Sequence, residues 1–107
     1  MNIRFLLACL FLNGCVVGPS PEEKLSQWNE VCKNNFFIGA TKERVIKHLI
    51  ENDIEHSYVD VEQRIYAIDR EVRNWRLIYS TAISVIIQFN EQETVVSCSA
   101  KTEYSGL

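Results

Sequence analysis

Apolar positions along this chain change period twice. Phe5-Leu6-Leu7-Ala8-Cys9-Leu10-Phe11-Leu12 is an unbroken apolar run behind a single charge, Arg4. From residue 21 the spacing becomes helical: Leu25, Trp28 and Cys32 recur at i, i+3 and i+7, with Val31 beside them. Ser20 as N-cap, Pro21 at the first helical position and Glu23 at the third form a capping box. The pattern predicts a helix from Pro21 to about Lys33, stopped by Asn34-Asn35. Phe36-Phe37-Ile38 is an apolar connector that ends at Gly39. Thr41 then caps a second helix, with Glu43 where the helix dipole favours an acid. Val45, Ile46, Leu49 and Ile50 are its apolar stripe, and it ends near Asn52.

Beyond Asn52 the period falls to two. Residues 54–61 alternate weakly, as a short extended segment or edge strand would. Residues 64–71 are strand-like with apolar groups on both faces, which leaves their register open. Ile83, Val85, Ile87 and Phe89 line one face of the clearest strand. Asn90-Glu91-Gln92-Glu93 is a polar turn, and residues 94–100 return as its hairpin partner, with Val96, Cys98 and Ala100 pointing together. The expected fold is α+β: two N-terminal helices packed on one face of a three-stranded antiparallel sheet, an ααβββ two-layer sandwich.

Composition narrows the class of protein. The chain has 107 residues, a formal charge of −3 and four cysteines. Its length holds one small domain. A pI near 5.3 disfavours a duplex nucleic-acid partner, which needs a basic surface. The apolar run of residues 5–12 is too short to span a bilayer and reads as the core of an export signal. It ends in Leu12-Asn13-Gly14-Cys15, which resembles the lipobox of bacterial lipoproteins, with Asn13 a departure at the second position before the cysteine. The resemblance implies cleavage after Gly14 and a lipid on Cys15. Leu6-Leu7-Ala8-Cys9 is a competing match, but it would leave an apolar core of only a few residues. By resemblance to enterobacterial lipoprotein sorting, Val16 in place of Asp after the cysteine implies the outer membrane over the inner. The expected organisation is a signal peptide at 1–14, a lipidated Cys15 with a short tether to residue 20, and a domain over 21–107.

Processing at Cys15 leaves two thiols, Cys32 and Cys98, exported to an oxidising compartment where such a pair commonly bridges. Cys32 lies on the apolar face of the first helix and Cys98 on the strand face that meets it. The loop closed would be worth about 4 kcal/mol. Two separate buried thiols are the alternative.

Catalytic motifs are absent: no phosphate-binding glycine loop, no Gly-x-Ser-x-Gly, no His-Glu-x-x-His. His48 and His56 read as surface or boundary residues. Neither a cofactor nor a small-molecule substrate is indicated, and no metal site is expected. Asp53, Glu55, Asp60 and Glu62 read as a solvated acidic edge. Arg70, Arg73, Trp75 and Arg76 are the candidate contact to a partner or an anion, because Arg and aromatic residues dominate interface hot spots. A solvated loop with Trp75 folded inward is the plainer alternative.

Ile38-Gly39-Ala40-Thr41, followed by Val45 and Leu49, is similar to the Gly-x-Thr…Val…Leu segment of small outer-membrane lipoproteins of the SmpA/OmlA type, the BamE-like subunit of the β-barrel assembly machinery. Trp75, Phe89-Asn90 and Val95-Val96 fit the same outline. The Leu-Gly-x-Pro common after the family's second helix is replaced by Leu49-Ile50-Glu51-Asn52, and Arg44 stands where Gln is usual. The resemblance implies two helices followed by three antiparallel strands, an architecture shared with β-lactamase-inhibitor proteins. The expected function is therefore that of a lipid-anchored, non-enzymatic binding protein on the periplasmic side of the outer membrane, an assembly or scaffold accessory with an envelope protein as partner. The alternative is a periplasmic inhibitor or immunity-type lipoprotein that blocks a toxin or hydrolase.

Overall fold

In the computed structural model, which describes residues 19–72 and 79–106, Ser20 opens helix α1 (Pro21–Asn34) with both halves of the capping box made. The Ser20 hydroxyl accepts from the Glu23 N–H at 3.2 Å, and the Glu23 carboxylate accepts from the Ser20 N–H at 3.0 Å. Trp28 is the buried centre of its inner face. Phe36 turns into the core, and Phe37–Ala40 is a β-turn closed by the Ala40 N–H donating to Phe37 O at 2.9 Å. Gly39 holds its third position at φ 98°, which only glycine adopts without strain.

Helix α2 (Lys42–Glu51) starts at Thr41, whose hydroxyl accepts from the Arg44 N–H. It ends in a Schellman pair: Ile54 N–H donates to Leu49 O, Asp53 N–H to Ile50 O, and Asp53 takes φ 54°. Val45 and Leu49 are fully buried, while Ile50 is 60% exposed. The apolar stripe is thus narrower than its sequence pattern: Val45 and Leu49 enter the core and Ile50 faces outward.

The sheet has four strands among the described residues, one more than expected: β1 (Glu55–Val59), β2 (Arg64–Asp69), β3 (Tyr79–Phe89) and β4 (Val95–Gly106). They form an antiparallel meander in the order β1-β2-β3-β4. β1 is the weakly alternating segment. It lies at an edge and no residue of it is fully buried, so few of its residues needed to be apolar.

Pairing sorts the residues by face. Ile65, Ala67 and Asp69 stand opposite Ile87, Val85 and Ile83, and Cys98 stands opposite Ile87; this face receives the helices. Tyr66, Ile68, Ser84 and Ile86 lie on the other. A bulge opposite the Gln88–Phe89 step alters the start of β4: Val95 pairs with Phe89 and is 1% exposed, while Val96 is turned out at 41%. Val95, not Val96, therefore shares the inner face with Cys98 and Ala100. The core gathers Trp28, Phe36, Leu49, Ile65, Ile87 and Phe89 among its larger members.

Candidate functional site

Two places on the described domain carry features beyond plain packing. One is a buried carboxylate. Asp69 occupies the last inward position of β2 and is 2% exposed. Its Oδ2 accepts from Trp28 Nε1 at 2.7 Å and lies 3.2 Å from Lys24 Nζ, and its Oδ1 accepts from the Glu71 N–H at 3.0 Å. Lys24 and Trp28 are one helical turn apart, so a single carboxylate fixes that face of α1 to the end of β2. Buried carboxylates are tolerated when their oxygens are bonded in this way. A cleft of about 160 Å³ runs past this cluster to Gln27, His48 and Asn52. Burial lowers the His48 pKa below its ordinary 6.5; Glu51 opposes the shift and Arg44 adds to it. The His48 ring meets Phe36 edge-on at 5.1 Å between centroids. No group of three His, Cys, Asp or Glu side chains converges as a metal site among the described residues.

The second place is a groove of about 580 Å³ between the end of α1 and the start of β4. The Cys32–Cys98 disulfide, with Cα atoms 5.5 Å apart, ties its two walls together. Phe36 forms part of its lining, and Phe37, Ile38 and Val96 stand at its rim with exposures of 41%, 77% and 41%. Each is held out by backbone geometry: Ile38 is at the turn tip, Phe37 starts the turn, and Val96 is the bulge residue. The Arg44 guanidinium lies 5.1 Å from the Phe37 ring centroid and its Nε donates to Asn35 O, which backs the ring on one side. Lys33, in the last turn of α1, lines the same groove.

Of the residues expected to matter, Cys32 and Cys98 are brought together. Arg70 pairs with Glu55 across the β1–β2 edge at 2.7 Å, both being mostly exposed, so its charge is already shared. Arg73, Trp75 and Arg76 lie outside the described residues, as do Cys15 and the signal segment. Asp53, Asp60 and Glu62 are exposed, and Tyr66 donates its hydroxyl to Glu62. Sequence reasoning missed Asp69 and the groove. A signal for the groove existed: three successive apolar residues, Phe36-Phe37-Ile38, cannot all turn inward from a short connector. For Asp69 the signal was an acid in phase with Ile65 and Ala67.

No family model, curated protein or solved structure matches the chain.

Proposed function

We propose that this chain is a lipid-anchored envelope protein, held at the periplasmic side of the outer membrane through Cys15, which acts by binding a protein partner at the groove beside the disulfide. The observation that carries this reading is the cluster of Phe37, Ile38 and Val96, three large apolar side chains exposed around one groove. Scattered exposed apolar residues are ordinary, but a grouped set with a polar surround is a typical protein contact. The disulfide suits an oxidising compartment and holds both walls of the groove in place before binding. Residues 38–41, which carry the likeness to BamE-like lipoproteins, form the turn and helix cap that present Ile38. They support an assembly or scaffold role as part of this proposal.

Photo-crosslinking in intact envelopes, followed by mass spectrometry of the adduct, tests the reading. Wild type should give a dominant protein adduct that is lost in Ile38→Asp and retained in Ile50→Asp, a control at another exposed isoleucine, on α2. An adduct indifferent to Ile38→Asp refutes the groove. Recovery of an envelope assembly subunit supports the accessory role, and recovery of a single soluble effector replaces it with inhibition. Palmitate labelling lost in Cys15→Ala supports the anchor; labelling that persists refutes its position.

A further inference from the structure

The two edges of the sheet differ. β1 has five residues with one acid, Glu55, whereas β4 has twelve, and its two charged side chains, Lys101 and Glu103, pair with each other at 3.3 Å. Short, charged edges resist further strand pairing, whereas long ones invite it. The direction of the β4 backbone follows from one bond. Phe89 donates its N–H to Gln63 O at 2.8 Å, on the β2 side. Alternation along β3 then turns the backbone of Ile86 and Ser84 toward β4, where Ser99 and Lys101 stand opposite. Ser99 and Lys101 therefore face back to β3, and Cys98, Ala100 and Thr102 turn their N–H and C=O groups outward.

The start of this edge is already occupied by the chain itself. Gly39 N–H donates to Val95 O and Val95 N–H to Ala40 O, each at 2.8 Å, and Thr41 bridges Thr94. This short extra strand leaves the edge at Ile38. Past Val95, no strand among the described residues pairs with the outer side of β4. Cys98, Ala100 and Thr102 carry their side chains on the helix face, so residues added opposite them point to the same side. There the groove lies, with Phe37, Ile38 and Val96 at its rim and Lys33 in its wall. Lys33 makes no ion pair among the described residues.

We propose that the outer edge of β4 from Cys98 to Thr102 takes up an extended segment of the partner protein as an added strand, continuing the line that Gly39–Thr41 begins. Main-chain bonds supply the affinity and the groove supplies selectivity. An apolar side chain of the segment enters between Phe37, Ile38 and Val96, and a carboxylate of the segment meets Lys33. This deepens the binding reading above and rests on it.

The probe is a blocked synthetic octapeptide of alternating valine and threonine with one terminal aspartate, together with two forms N-methylated on its odd or its even residues. It is added to the full chain in detergent micelles. Before addition, the amides of Cys98, Ala100 and Thr102 should exchange about 100-fold faster than those of Ser99 and Lys101. At saturation their exchange should slow about tenfold or more, and one N-methylated form should fail to bind while the other binds. Lys33→Glu should weaken the aspartate peptide about fivefold and favour a lysine-ended one. Equal binding by both N-methylated forms, or no protection, overturns the proposal. So does prior protection of those amides in a species that sediments as a dimer, which assigns the edge to a second copy. Ala100→Pro, which removes one outward N–H, separates the two proposals in the envelope crosslinking. An adduct lost in both Ala100→Pro and Ile38→Asp supports strand addition. One lost only in Ile38→Asp overturns strand addition and leaves the groove reading standing, and one retained in both overturns both.

Discussion

Asp69 is the residue on which the seating of α1 most depends. Its carboxylate satisfies the Trp28 indole and the Lys24 ammonium at once, so removing it strands two donors near the core. Asp69→Ala should destabilise the domain by about 3 kcal/mol, the usual result of breaking a buried pair from one side, read as a shift in urea midpoint. Asp69→Asn keeps an acceptor for the indole and should lose less. His48 gives the domain a pH dependence of known sign. Burial depresses its folded pKa below 6.5, so its contribution is present above that value. The contribution is lost as pH falls from there through the folded pKa, because the unfolded chain takes up the proton more readily. Urea titrations at about pH 7.5 and about pH 5 should show a smaller drop in His48→Gln than in wild type.

Among the elements, the start of β4 shows how one residue alters a face. The sequence contains Val95-Val96, two equivalent residues in a strand, and alternation from Cys98 assigns the core to Val96. The bulge assigns it to Val95. Val95→Asp should cost about 3 kcal/mol or more, and Val96→Asp about 0.5 kcal/mol or less. Thermal denaturation of the two variants tests this, and equal losses would contradict the register. The reason for the bulge is visible only in the fold: Val95 must bond Gly39 and Ala40 on one side and face Phe89 within the sheet. Helix limits, by contrast, were legible. Ser20, Pro21, Glu23 and Thr41 are local signals, and each acts within one turn of its own position.

For the whole molecule, the Cys32–Cys98 bridge is the dominant constraint. It spans 66 positions and encloses α2, β1, β2 and β3. A loop of that length limits the unfolded chain by about 4 kcal/mol, comparable to the net stability of many small domains. The double variant Cys32→Ala/Cys98→Ala should lose about that much in urea unfolding, and reductant should leave it unaffected while destabilising wild type. The same bridge joins the two walls of the groove, so under the binding proposal its loss should also weaken the envelope adduct.

Local chemistry made much of this protein readable from its sequence: both helices with their caps, the strand through Ile83–Phe89, the α+β class and the pairing of two distant cysteines. The elements follow from periodicity or from interactions within a few residues, and the cysteine pairing from an export signal that leaves two thiols in an oxidising compartment. Tertiary structure alone decided the fourth strand, the exposure of Ile50, the exchange of Val95 for Val96 and the partners of Asp69. It also decided that Phe37, Ile38 and Val96 meet around one groove. These depend on which surfaces are covered by elements distant in sequence, and a pattern along one segment cannot record what packs against it.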